Sequence, residues 1–232
     1  GGWASNREYL KQTTGQFYSR RFVMTYPNEQ LWAGRPLKTA PAYDAMTENG
    51  ITPRSIPGDE GGVYWTTTDE HDPRGHITED AQNRIDMMNK RMGKFALALK
   101  EIPSSLKIAK FGPADAETTI VCWGTATGSA RDAMDVLAKE GIKVNVLQIR
   151  LMKPFPVDEV VAELKKAKLT ILAEENYNGQ LGDLIRTATG ITVDKRVVKF
   201  DGRPFSEEEL VEGIKTAISS SDVRIPVTHY LP

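Results

Sequence analysis

Thr118–Asn176 reads TTIVCWGTATGSARDAMDVLAKEGIKVNVLQIRLMKPFPVDEVVAELKKAKLTILAEEN, and the alternation inside it decides the fold. Short apolar runs are separated by segments of helical period, the pattern of βαβ units on a parallel sheet. Thr119–Trp123, Val144–Ile149 and Leu169–Ala173 are nearly continuous β-branched and aliphatic runs, as expected of strands covered on both faces. Between the first two, Ala130, Met134, Leu137 and Ala138 recur at helical spacing, and Gly141 is placed to stop the helix. Pro156 suits the first position of the next helix, with Asp158 and Glu159 in its first turn and Lys165 and Lys166 in its last. A fourth run, Arg196–Phe200, leads to Ser206, which forms a capping box with Glu209 ahead of Leu210, Val211 and Ile214. Four strands and four helices therefore make a three-layer α/β domain with a mostly parallel sheet, from about Thr118 to Ser219.

Outward from that core the text changes character. Upstream, Glu29–Gly62 is dense in Pro and Gly, which rules out a long helix or a central strand. Leu31, Trp32, Leu37, Tyr43, Met46, Ile51 and Ile56 are interspersed, so an ordered irregular arm is expected rather than a flexible linker. From Glu79 to about Lys100, the apolar set Ile85, Met88, Met92, Phe95, Leu99 and Ile102 steps by three and four. This predicts a long amphipathic helix capped by Thr78 or Asp80, with Arg84, Asp86, Lys90, Arg91 and Lys94 on a solvated face. The expected organisation is residues 1–28 as the end of a preceding domain or a linker, 29–110 as arm plus helix, 111–220 as the α/β domain, and 221–232 as a C-terminal strap. The boundary between arm and domain falls within Pro103–Pro113.

Bulk properties narrow the function classes. The chain has 232 residues, 40% hydrophobic and 26% charged, a composition that folds. A formal net charge of −1 gives no global attraction for nucleic acid or anionic lipid, so neither is an expected partner. No window has the apolar length of a transmembrane helix, and no signal peptide is visible. The single cysteine, Cys122, excludes an internal disulfide framework and fits a cytoplasmic location. The chain opens Gly-Gly-Trp rather than Met, as expected of a processed product or of one piece of a longer polypeptide.

Four places could carry chemistry. The turn Gly124-Thr125-Ala126-Thr127-Gly128 has glycine and hydroxyls but matches neither the dinucleotide fingerprint nor a P-loop. Cys122 lies in an apolar strand with no base beside it, as a small buried hydrophobe does. Glu174-Glu175-Asn176 follows a strand at the functional edge of a parallel sheet, but adjacent carboxylates alternate faces, which favours a polar edge or an interface over an acid–base pair. The densest group is Asp69-Glu70-His71-Asp72-Pro73-Arg74-Gly75-His76, with two of the chain's three histidines. It reads either as a loop presenting Arg74 and imidazoles to an anion, or as a self-satisfied turn in which Asp72 accepts backbone N–H groups. A metal reading is weak, because His71 and His76 lack the i,i+4 pairing of a helical site.

Glu48–Phe95 as a whole resembles a segment of the α subunit of the 2-oxoacid:ferredoxin oxidoreductases. The residues that carry the resemblance are Asn49-Gly50-Ile51, Pro53-Arg54, Pro57-Gly58, the Gly61–Trp65 run, Glu70–Asp72, Gly75-His76, Asn83-Arg84 and Lys90-Arg91. The α/β domain is similar to the transketolase C-terminal-like domain that follows in this subunit, through WGTATGSARDAM (Trp123–Met134) and LMKPFP (Leu151–Pro156), so that the resemblance runs from about Met24 to Ser220. It implies oxidative decarboxylation of a 2-oxoacid to its acyl-CoA, with electrons passing to ferredoxin. The chemistry is that of thiamine diphosphate with Mg2+ and a 4Fe–4S iron–sulfur cluster.

The earlier α-subunit domains, the β-subunit elements that hold the diphosphate and the cluster cysteines are absent from this sequence. The resemblance therefore implies a scaffold and interface portion that supplies no catalytic residue and binds no cofactor alone. Its partners would be the remaining α sequence, the β subunit, ferredoxin, CoA and a 2-oxoacid. The residues offered as facing substrate or CoA are Arg54, His71, Asp72, Arg74 and His76. Two rivals stand beside this reading: a self-contained CoA- or nucleotide-binding module using Gly124–Gly128, and a fragment of another thiamine enzyme of transketolase or branched-chain dehydrogenase type.

Overall fold

The computed structural model describes residues 67–72 and 75–227. The irregular arm expected before them, with Arg54, lies outside the described residues, as do Pro73, Arg74 and the last five residues. The chain divides into two units between Pro103 and Ser104.

In the first unit a short turn precedes helix α1 (Ala81–Glu101). Asp80 is the N-cap, its carboxylate accepting from the Asn83 N–H at 2.7 Å. The helix is present as its period requires, but its faces are not those expected. Met87 and Lys90 are buried, whereas Ile85 and Met92 are about half exposed, at 52% and 51%. Glu70, in the preceding turn, takes hydrogen bonds from both Arg84 and Arg91 and so ties the turn to α1.

The second unit is an α/β domain around one six-stranded sheet. Its elements are α2 (Ser104–Lys107), β1 (Ile108–Phe111), β2 (Thr118–Cys122), α3 (Ala126–Lys139), β3 (Val144–Ile149), α4 (Val157–Leu164), β4 (Leu169–Glu174), α5 (Gln180–Thr189), β5 (Lys195–Val198), α6 (Glu207–Ser219) and β6 (Arg224–Pro226). The order across the sheet is β1-β3-β2-β4-β5-β6, parallel throughout except for β1, which runs antiparallel to β3. Central registers are Ile120 opposite Val146 on one side and Ile171 on the other.

Side chains alternate across the sheet as its pleat demands. Ile120, Cys122, Val144, Val146, Ile171, Ala173 and Val197 face α3 and α6, meeting Ala130, Ala133, Leu137, Leu210 and Ile214. Val121, Leu147, Ile149 and Leu172 face α4 and α5, meeting Val160, Leu164, Leu181 and Ile185. With a helix layer on each face, the sheet is covered on both, which explains why its strands read as unbroken apolar runs.

The capping box is present: the Glu209 N–H donates to Ser206 Oγ at 3.2 Å and the Ser206 N–H donates to Glu209 Oε2 at 2.8 Å. Other details shift by one step. Pro156 is the N-cap of α4 rather than its first residue, and α4 ends at Leu164, which leaves Lys165 and Lys166 at and beyond its end. Ala133 takes the buried place expected of Ala138. Two edge strands join the four expected. β1 lies inside the boundary region, and β6 lies in the segment read as a strap. The Pro226 in β6 is tolerated because an edge strand has one unpaired side.

Gly213 marks the tightest helix–sheet approach. A Cβ placed there would sit 2.6 Å from Val197 Cγ1 and 3.1 Å from Val227 Cγ2. Gly213→Ala should therefore destabilise the domain by about 1–3 kcal/mol, despite alanine's better helix propensity. A chemical-denaturation midpoint equal to or above that of the parent would show that α6 can move away without cost.

Candidate functional site

The DEHDPRGH turn is built around Asp72. Its N–H donates to the His76 carbonyl at 2.8 Å, its carbonyl accepts from the Gly75 N–H at 2.9 Å, and its Oδ1 accepts from the His76 N–H at 3.1 Å. Gly75, at φ 88°, supplies the left-handed residue that this closure needs. One step outward His71 bridges Ile77 in antiparallel fashion, and the Thr78 N–H reaches the Glu70 carbonyl at 3.0 Å. The structure thus brings His71, Asp72 and His76 together in one hairpin. Arg54 and Arg74, named with them from sequence, lie outside the described residues.

Glu70 ties this hairpin to α1. Its Oε2 accepts from Arg84 Nη1 and from Arg91 Nη2, each at 2.6 Å, and its Oε1 accepts from Arg91 Nη1 at 2.9 Å, a two-pronged fork. The Arg91 hydrogen bonds, reinforced by Arg84, outweigh partial burial and hold the Glu70 carboxyl at about 2, well below the usual carboxylate range. Asn83 Nδ2 adds a bond to the His71 carbonyl at 3.1 Å. Arg84 and Arg91 lie on the solvated face expected of them, 59% and 37% exposed, but the acid they share was not foreseen. The available signal was an acid just upstream of two arginines seven residues apart, which share one helix face.

At the carboxyl edge of the parallel strands, Glu174 is 2% exposed. Its Oε1 accepts from the Trp123 indole Nε1 at 2.9 Å and its Oε2 from the Leu181 N–H, in the first turn of α5, at 2.8 Å. Glu175 points elsewhere, accepting from Thr125 Oγ1 at 2.8 Å and from the Phe205 N–H at 3.0 Å. Asn176 Oδ1 caps the following turn through the Gly179 N–H at 2.6 Å. All four carboxylate oxygens of the pair are engaged by the fold, which stitches the β2, β4 and β5 loops together and argues against an acid–base pair. Thr125, one of the hydroxyls of the Gly124–Gly128 turn, is one of these donors.

Cys122 is buried, and burial pushes its thiol up to about 11 even with Thr127 Oγ1 3.6 Å away. A single, buried thiol does not fit the several-cysteine ligation of an iron–sulfur cluster. The two edge carboxylates, spent on internal donors, likewise offer no evident hold for a diphosphate's metal. Among the described residues no helix is long and apolar enough to cross a membrane.

A mostly parallel sheet covered on both faces, with the carboxylates at its loop edge taken up by internal hydrogen bonds, defines an α/β domain. Comparison with known proteins narrows this. Residues 116–210 match the model of the pyruvate:ferredoxin oxidoreductase core domain II. The 2-oxoacid:ferredoxin oxidoreductase subunit alpha of Saccharolobus solfataricus is 37% identical over 180 residues, 78% of this chain and 28% of that protein. Subunit alpha of enzyme 2 from Aeropyrum pernix is 34% identical over 200 residues, 84% of this chain and 31% of that protein. Among solved structures, a 2-oxoglutarate:ferredoxin oxidoreductase from Magnetococcus marinus, with 2-oxoglutarate, coenzyme A and succinyl-CoA bound, superposes with a TM-score of 0.62 at 30% identity, over 76% of this chain and 30% of that one.

The α/β unit belongs to the 2-oxoacid:ferredoxin oxidoreductase α-subunit family, as its core domain II. The chain spans less than a third of the length of these relatives. Its first forty residues match another model, the FAD dependent oxidoreductase central domain.

Proposed function

We propose that this chain supplies the scaffold and a subunit interface of a thiamine diphosphate-dependent 2-oxoacid:ferredoxin oxidoreductase. In the assembled enzyme a 2-oxoacid, CoA and oxidised ferredoxin give acyl-CoA, CO2 and reduced ferredoxin, two electrons leaving one at a time. The coenzyme with its Mg2+ and the iron–sulfur cluster are held by the rest of the α sequence and the β subunit. The observation that carries this reading is the 37% identity to a subunit alpha across about four fifths of the chain. The bonded edge carboxylates and the inert Cys122 support a structural rather than catalytic share in the work. Coenzyme A, bound in the Magnetococcus structure, supports CoA as the acyl acceptor. The hairpin residues His71, Asp72 and His76, with Arg54 and Arg74, are the groups of this chain proposed to face substrate or CoA.

The test is reconstitution. Co-expressed with the missing α-subunit sequence and a β subunit from a relative, the chain should co-purify and give CoA-dependent ferredoxin reduction by a 2-oxoacid. Alone it should decarboxylate nothing. Within that assembly, Asp72→Ala and Arg74→Ala should alter KM or kcat without unfolding the protein. A chain that stays monomeric beside those partners and binds CoA tightly by itself in calorimetry would favour the self-contained module instead.

A further inference from the structure

We propose that Glu70, with Asn83, Arg84 and Arg91, is a positioning clamp that holds the His71–His76 hairpin in the one orientation from which its imidazoles meet an oxyanion, carboxylate or phosphate. This rests on the reading that the hairpin faces a ligand, and adds what makes it able to do so. Three features of the geometry point to it. The clamp grips the hairpin at its root, through the side chain of Glu70 and the backbone carbonyl of His71, and leaves the turn itself to Asp72. The grip is a fork rather than a point charge, since both Arg91 Nη atoms reach separate Glu70 oxygens, which fixes rotation as well as distance. The three contacting residues of α1 fall at positions 83, 84 and 91, one face of the helix, so a rigid element carries the whole support.

The experiment is a titration of the reconstituted assembly, in which only this full-length chain is labelled at histidine, with 2-oxoglutarate and separately with coenzyme A, following the ring resonances of His71 and His76. The chain holds three histidines, and the third, His229, is an internal control far away in sequence. The parent protein should show saturable shifts at His71 and His76 with at least one of the two anions. A response to coenzyme A alone would assign the phosphate-bearing ligand, and a response to 2-oxoglutarate the carboxylate. Glu70→Gln, which keeps the shape and removes the charge, should weaken that binding by about tenfold or more while the amide spectrum of residues 104–227 is unchanged. Arg91→Lys, which keeps the charge and loses the fork, should fail to restore it and carries the same comparison if Glu70→Gln melts the turn. Equal affinities in parent and variants would overturn the clamp and leave the ligand-facing reading standing. No response of either imidazole in the parent to either anion would overturn that reading, and the clamp's purpose with it.

Discussion

Ile171→Asp should leave the α/β unit without a cooperative unfolding transition. Ile171 lies in β4, fully buried, with Ile120 of β2 opposite it on one side and Lys195 of β5 on the other. Its side chain belongs to the core between the sheet and helices α3 and α6, whose nearest members are aliphatic. A carboxylate placed there meets no donor, and its desolvation costs several kcal/mol whether it stays charged or takes up a proton. Domains of this size hold only about 5–15 kcal/mol in total, so the cost is comparable with the whole. Ile171→Val, which removes one methylene from the same site, should cost only about 1 kcal/mol and keep the transition sharp. Urea melts followed by far-ultraviolet circular dichroism decide the matter. A cooperative transition for the Asp variant within a few kcal/mol of the parent would mean that the sheet can open at β4, contrary to its position at the centre of the order.

The features most legible in sequence are those set by neighbours a few residues away. The period-two burial of Ile120, Val121 and Cys122, the helical run after Thr125 and the Ser206–Glu209 box need only local geometry, and each appears where its residues call for it. What escaped sequence reading is set by distant partners. Nothing in Ile108–Phe111 or Arg224–Pro226 distinguishes a short edge strand from a connecting segment, because half of its definition lies in Ile149 or Val197. The tie between α1 and Glu70 was equally out of reach, since no helical window contains that residue. The edge carboxylates show both sides of this. That Glu174 and Glu175 point apart follows from strand geometry, whereas the Trp123 indole and the Phe205 N–H that hold them come from 51 and 30 residues away. The Asp72 turn was legible because Pro73 and Gly75 bracket it. Its support was not, since the salt bridge to Arg91 spans 21 residues.

Glu209→Ala should destabilise the domain far more than Lys199→Met, although the two remove opposite ends of one ion pair. Lys199 is a lysine with a side chain 1% exposed, bonded through Nζ to Glu209 Oε1 at 2.6 Å and to Asp201 Oδ2 at 2.8 Å. Removing Glu209 leaves this buried ammonium with only the partly exposed Asp201 and also removes one of the two bonds of the α6 capping box, since Oε2 holds the Ser206 N–H. Together these should cost roughly 3–5 kcal/mol. Removing the cation instead leaves carboxylates that are 28% and 15% exposed, with a methionine stem of similar volume in the apolar path, and should cost about 1–2 kcal/mol. The pH dependence follows from the shifts. Burial would raise the Glu209 carboxyl, but the Lys199 bond and the cap N–H hold it below its ordinary value. Its contribution is therefore full above the unfolded value of about 4.3 and is lost as the pH falls through the lower folded value. Burial would lower Lys199, but Asp201 and Glu209 raise it, so its contribution is full below about 10.4 and disappears as the pH climbs through the raised folded value. The gap between parent and Glu209→Ala in urea melts should accordingly be flat between about pH 5 and pH 10 and narrow toward acid. A Lys199→Met variant as unstable as Glu209→Ala would show that the pair contributes net attraction rather than mutual neutralisation of a buried charge.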